Sequence, residues 1–293
     1  MTKQVLVTGA TGQQGGLVAR NLLKKGHDVR AFVRDTESNA AKELVELGAT
    51  LARGDFDNVE SIEAAVQGVH TVHLVTNMYS GVDQEAPQGI RVIDAAVTAG
   101  VEHIVLSSVA GANTSSGIPH FDAKFEVEQH LQKVAMNWTI VAPVYFMENI
   151  TFAWNLPSLQ VGKFRQAISD STYLQMISSA DIGAFIAHVI DQGETFYGER
   201  IEIAGDELTG PQAAGILSEA SGEAIAFEQQ SREEVAAISE DVALMYDWFE
   251  SVGYSANIES LRTVHTAINW TTFSDWALKQ DWNSLLASTP TAV

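Results

Sequence analysis

Cysteine is absent from the 293 residues. Disulfides, thiolate nucleophiles and cysteine-ligated metals are therefore excluded. Positive charge is scarce: 17 Lys and Arg stand against 37 Asp and Glu, a net charge of −20, and only eight of the 17 are lysine. That balance argues against a basic face for nucleic acid and against attraction to an anionic membrane surface. No apolar run approaches the ~20 residues of a membrane-spanning helix. The N-terminus has no signal-peptide pattern, because Val5 opens a strand and not an h-region. The histidines are scattered, and no metal site is expected. Apolar residues still make up 46% of the chain, so the expectation is a globular, cytoplasmic protein with one large domain or two smaller ones.

What is present is concentrated at the start. Val5, Leu6 and Val7 form a short apolar run that enters a turn with glycines at 9, 12 and 15. An amphipathic helix pattern follows at once. A strand, a glycine turn and a helix start in this order bind the pyrophosphate of a dinucleotide. Gly9 permits the tight turn, Gly12 lets backbone approach the phosphates, and Gly15 lets the helix pack on the strand. Thr11, Gln13 and Gln14 lie in the same phosphate-binding segment.

Strands and helices alternate through the first half. Strand-like runs are Gln4–Thr8, Asp28–Val33, Thr50–Arg53, Thr71–Thr76, His103–Ser107 and Trp138–Ala142. Helical stretches fall between them at Gln13–Lys25, Asn39–Leu47, Val59–Val66, Gln84–Ala99 and Phe121–Val134. Gly26, Gly48, Gly68 and Gly100 each stand where a helix should end. This reads as an α/β fold, a Rossmann-type doubly wound parallel sheet, with a smaller and mainly helical C-terminal lobe. The division expected is a nucleotide-binding domain over residues 1–150 and a substrate or partner lobe over 151–293, with 176–206 returning to the first. Residues 144–175 read as irregular, Ser179–Gln192 as a helix and Arg200–Ala204 as a strand. Trp270, Trp276 and Trp282 read as lobe core.

The choice of dinucleotide turns on the end of the second strand. The position that carries an acid in NAD sites falls at Val33, and Arg34 follows with forked donors suited to a 2′-phosphate. NADP(H) is therefore expected, with Asp35 as the complication: turned inward, it would favour NAD. Thr36 and Ser38 offer further hydroxyls. Asp55, in Gly54-Asp55-Phe56, is placed either to accept from the adenine amino group or to cap the helix near Val59.

These segments, together with Thr76-Asn77, His120-Phe121-Asp122-Ala123-Lys124 and Phe146-Met147-Glu148-Asn149, resemble the NmrA-like family of atypical short-chain dehydrogenases. Within it they are most similar to the branch that contains a human NADPH-sensor protein. One departure is Ala142, where many relatives carry Arg. Phe56 joins Asp55 among the cofactor-binding candidates, and the resemblance implies that Thr76, Asn77, Tyr145, Phe146 and Asn149 line the nicotinamide half. It also implies that Lys124 holds the nicotinamide ribose. Ordinary members of the superfamily place Tyr four residues before that Lys; here the position is His120. A protonated His120 suits proton donation near neutral pH, and it equally suits a plain helix start after Pro119. Ser107 and Ser108 occupy the strand end where the superfamily often orients a substrate, and where turn chemistry alone also favours serine. The catalytic candidates are Lys124, His120 and Ser108.

Two functions follow. One is an NADPH-dependent reductase of a small carbonyl, quinone or imine compound. The other is a non-catalytic NADPH or redox sensor that regulates a protein partner, as the missing Tyr suggests.

Overall fold

The computed structural model describes residues 2–77 and 81–287. In chain order the elements are β1 (Gln4–Val7), α1 (Gln13–Lys24), β2 (Asp28–Val33), α2 (Asn39–Glu46), β3 (Thr50–Arg53), α3 (Val59–Val66), β4 (Thr71–Val75), α4 (Val82–Thr98), β5 (His103–Ser107), α5 (Pro119–Leu131) and β6 (Asn137–Pro143). They continue with β7 (Tyr145–Phe146), α6 (Leu156–Leu159), β8 (Lys163–Gln166), β9 (Tyr173–Ile177), α7 (Ser179–Gln192), β10 (Glu199–Ile203), β11 (Asp206–Thr209), α8 (Gly210–Ser221) and β12 (Ala226–Gln229). Five short helices close the chain: α9 (Arg232–Ala236), α10 (Glu240–Ser251), α11 (Ile258–Val264), α12 (Phe273–Ala277) and α13 (Trp282–Leu286). The chain divides into two units. Unit one comprises Met1–Ser115, Pro119–Pro143 and Ile182–Glu202; unit two comprises Ser116–Ile118, Val144–Asp181 and Ile203–Val293.

Unit one is built on a seven-stranded sheet in the order β10-β6-β5-β4-β1-β2-β3. Every pairing from β6 to β3 is parallel. This is the doubly wound sheet that the strand–helix alternation implies. Sequence order runs outward from β1 to β3 on one side and from β4 to β6 on the other. The crevice between the carboxyl ends of β1 and β4 is thus the switch point where such sheets bind ligands. All five residues of β5 are buried, as a strand covered on both faces requires. Ser38 and Asn58 accept backbone N–H bonds at the starts of α2 and α3, each such cap being worth about 1 kcal/mol. The four glycines expected to end helices have φ between +71° and +103°. Helix α7 lies close to α1: a Cβ on Gly183 would meet Leu17 Cβ at 2.6 Å.

Unit two holds a three-stranded sheet, β11-β9-β7, and a two-stranded one, β12-β8. The strands β7 to β9 fall in the stretch expected to be irregular. They are two to five residues long, too short to show a period against aromatic surroundings. The Glu148 carboxylate accepts from the backbone N–H (3.0 Å) and Oγ (2.8 Å) of Ser179, so it caps α7. Buried Asp181 accepts from the N–H (2.7 Å) and Oγ1 (2.8 Å) of Thr271. Trp276 and Trp282 are buried and Trp270 is half-buried. The Trp282 indole donates to the Ala277 carbonyl at 2.8 Å. No helix among the described residues is long and apolar enough to cross a membrane.

Two imidazoles lie inside the sheet of unit one. His73 of β4 meets Ser107 Oγ at 3.0 Å, and His103 of β5 meets Thr139 Oγ1 at 2.9 Å. Burial pushes each imidazole down to about 3, with Lys3 and His70 adding repulsion at His103. The folded protein therefore keeps both neutral while the unfolded chain takes up protons below about pH 6.5. Stability is present above that value and is lost as pH falls toward about 3. We expect the urea midpoint to drop between about pH 7 and about pH 4, and the His73→Gln variant to show a shallower drop. An unchanged slope would assign the acid sensitivity to other groups.

Candidate functional site

The end of β1 is tied to the end of β4 by one side chain. Thr8 Oγ1 accepts from the Val75 N–H at 2.9 Å and donates to the Val75 carbonyl at 3.2 Å. Gly9 then turns the chain with φ +58°. Gly12 N–H closes the turn on the Gly9 carbonyl at 2.8 Å. Gly12 is also the N-cap of α1, with no side-chain cap and no acid in the first turn. The helix start thus presents its unsatisfied amides without a built-in anion. Contact demands glycine at position 15 and leaves little room for a side chain at 12. A Cβ on Gly15 would lie 2.4 Å from the carbonyl oxygens of both Thr8 and Gly9, and one on Gly12 would lie 3.2 Å from Gly9 O. Thr11, Gly12 and Gln13 are exposed, while Gln14 is half-buried with its Oε1 lacking a hydrogen bond among the described residues. Bare amides at a helix start and a turn closed to side chains fit a dinucleotide pyrophosphate.

At the end of β2, Arg34 is exposed and makes no hydrogen bond or ion pair among the described residues. Asp35 is held in its own turn, its Oδ1 accepting the Glu37 N–H at 2.9 Å. Ser38 is used as the cap of α2. Beyond β3, Asp55 Oδ1 accepts the Asp57 N–H at 2.9 Å, and the cap of α3 is Asn58. Phe56 stacks on Phe32 with centroids 5.8 Å apart.

Helix α5 begins at Pro119, so His120 and Lys124 are one turn apart on a single helix. Lys124 Nζ donates to Glu85 Oε1 at 2.6 Å and to Thr76 Oγ1 at 3.1 Å, and Thr76 Oγ1 donates to the same Glu85 oxygen at 2.5 Å. Glu85 is fully buried in the first turn of α4. Sequence reasoning missed it, because an acid in a first helical turn reads as a solvated partner of the helix dipole. His120 is 9% exposed, and its ring meets Phe121 edge-on at 4.8 Å. Asn77 is half-buried just after Thr76.

Ser108 donates its hydroxyl to Glu128. Glu128 is itself fully buried and paired with Arg200 Nε at 2.8 Å. Arg200 also holds Glu202 (2.8 Å) and the Val109 carbonyl (3.2 Å). Ser108 thus belongs to a buried ionic network that joins α5 and β10 to the loop after β5, and Ser107 is engaged with His73.

Tyr145, Phe146 and Asn149 belong to unit two. Tyr145 is buried, and burial raises its phenol above the usual range while Tyr246, Gln166, Asn155 and Asn149 hydrogen-bond to it and pull it back. Tyr246 was not anticipated; it lies about 100 residues away in sequence, beyond any local pattern. Its own phenol is raised well above the usual range by burial and by Tyr145. Phe152 and Trp154 form an exposed pair with centroids 4.3 Å apart. Ala142, at the position of the relatives' Arg, is fully buried in β6.

The sequence profile of the NmrA-like family matches residues 1–277. An NmrA-like family domain-containing protein of Dictyostelium discoideum is 30% identical over 269 residues, covering 86% of this chain and 89% of that one. Quinone oxidoreductase 2 of Escherichia coli (strain K12) is 31% identical over 243 residues, covering 82% of each. Among solved structures, the NADPH-dependent quinone oxidoreductase of Escherichia coli in complex with NADPH superposes with a TM-score of 0.80 at 28% identity, covering 93% of this chain and 98% of that one. With the glycine turn, the parallel sheet and the Lys124 helix in place, the match over nearly the whole length means that this chain belongs to the NmrA-like family.

Proposed function

We propose that the chain binds NADP(H) and reduces a small carbonyl, quinone or imine compound, working in the cytoplasm. The observation that carries this reading is the bare-amide turn at Gly9–Gly15, with Lys124 held at the carboxyl end of β4 in the same unit. The quinone oxidoreductase relative, similar over most of its length, supports the reaction class. Bound NADPH supplies the hydride. Arg34 grips the 2′-phosphate, and Asp55 and Phe56 border the adenosine. Thr11, Gly12, Gln13 and Gln14 hold the phosphates with the glycines. An ammonium has three donors, and Lys124 commits two of them to Glu85 and Thr76. The third is left for the ribose hydroxyls. His120, or water, delivers the proton to the substrate oxygen or nitrogen. Asn77, which follows Thr76 in the same unit, borders the nicotinamide. With a net charge of −20, the second substrate is a small molecule and not a nucleic acid.

A second reading, a sensor that binds NADP(H) and regulates a protein partner, is favoured by one observation. The Ser108 hydroxyl already serves Glu128, and the position four residues before Lys124 is His120, not Tyr. The Tyr–Ser pair that activates a carbonyl in ordinary relatives is thus not available.

The two readings separate in a turnover assay with quinone, carbonyl and imine acceptors. The reductase oxidises NADPH with at least one class, and His120→Ala slows carbonyl or imine turnover more than quinone turnover. NADPH binding without oxidation by any class would sink the reductase reading and leave the sensor.

The Lys124 pair makes a separate prediction. Lys124→Met strands the buried Glu85 carboxylate and should cost about 3–5 kcal/mol of folding stability. The double variant Lys124→Met with Glu85→Met should recover most of that loss, measured by urea unfolding. Equal losses in the single and double variants would show that the pair is not energetically coupled.

A further inference from the structure

The chain has nine arginines in a strongly acidic background. Seven of them hold a carboxylate or a backbone carbonyl. Among the described residues the side chains of Arg34 and Arg53 make no hydrogen bond or ion pair, and both are exposed. They are also neighbours. In the parallel pairing of β2 and β3, Arg53 stands opposite Val33, the residue before Arg34. The Gly54 N–H donates to the Val33 carbonyl at 3.0 Å and holds the two strand ends together. Adjacent strands are about 4.8 Å apart, so the backbones of the two arginines lie close together at the carboxyl edge of the sheet, within reach of one ligand for side chains as long as arginine.

Four carboxylates that follow them closely in sequence have other partners. Asp35 and Asp55 each accept a backbone N–H two residues on, both at 2.9 Å. Glu37 pairs with Lys42 at 3.2 Å, and Asp57 pairs with Arg91 at 2.9 Å. Two cations that make no ion pair among the described residues, in a chain of net charge −20, form a local site for an anion brought by a ligand. A phosphate monoester carries nearly two charges and three terminal oxygens at neutral pH. Two forked guanidinium groups match it better than one.

We infer that Arg53 is a second specificity-determining residue, which together with Arg34 clamps the 2′-phosphomonoester of NADP(H). This rests on reading the Gly9–Gly15 turn as a dinucleotide site. The competing role for Arg53 is to guard β3, the last strand of the sheet, against pairing with another chain.

Calorimetric titration with 2′,5′-ADP and with 5′-AMP distinguishes these roles without any turnover. Wild type should bind 2′,5′-ADP more tightly. Arg53→Ala and Arg34→Ala should each weaken 2′,5′-ADP about tenfold or more, the loss expected for a charged hydrogen bond, and leave 5′-AMP unchanged. The affinity of wild type for 2′,5′-ADP should also fall more steeply with salt than that of either variant. If wild type and Arg34→Ala behave as stated but Arg53→Ala matches wild type, the inference is overturned and Arg53 is an edge guard. If wild type does not discriminate between the two ligands, the NADP(H) reading fails and the clamp fails with it. Both side chains are exposed, so truncation leaves the core of unit one untouched.

Discussion

The site in unit one depends on a close approach of backbone to backbone. Helix α1 can start where it does only because Gly15 has no Cβ to strike the carbonyls of Thr8 and Gly9. That approach brings the first amides of α1 to the crevice between β1 and β4, where the Thr8 side chain joins the two strand ends. Arg34 and Asp55 follow the ends of β2 and β3 in the same sheet, and Thr76 follows β4. A larger residue at 15 would displace the helix and, with it, the place where an anion meets the sheet.

A second constraint is ionic. In a chain with 37 acidic and 17 basic residues, which cations receive a carboxylate is a structural choice. Lys124 and Arg200 are matched with the fully buried Glu85 and Glu128. Such pairs add little net stability, since desolvation offsets attraction, but breaking one is costly. Their effect here is positional. Glu85 and Thr76 hold the Lys124 ammonium at the end of β4, and Glu128 draws Ser108 into a network with Arg200. The same network that orders the loop after β5 removes a hydroxyl which sequence reasoning had offered to a substrate. Arg34 and Arg53, left without partners at a neighbouring strand edge, are the contrast to this pattern.

Legibility followed range. The strands of unit one were readable almost to the residue, because continuous apolar runs such as Ile104–Leu106 have one stable use in a parallel sheet. Helix ends were readable where a chemical signal marked them, as at Gly26 and Gly100. The start of α5 at Pro119, ahead of the expected Phe121, is a case where proline suits the first helical turn and extends it over His120. The small sheets of unit two were not readable. Strands β7, β8 and β9 take their pairing from partners far along the chain, and β7 has only two residues. In the site, the glycines, Arg34 and Lys124 announced themselves by motif. Glu85, Glu128 and Tyr246 did not, because each acts through a partner that only folding brings near.

The sequence by itself determined the doubly wound architecture of unit one, the anion-receptive turn after β1 and the acidic surface. These are set by local spacing, by glycine and by charge count, which act over a few residues or over none. The tertiary structure alone decided which charges are buried, which hydroxyls are already committed and which arginines are left without an ion-pair partner. Those outcomes depend on burial and on partners tens of residues away, such as Lys124 with Glu85 and Ser108 with Glu128 and Arg200. A pattern read along the chain carries no information about distance across it.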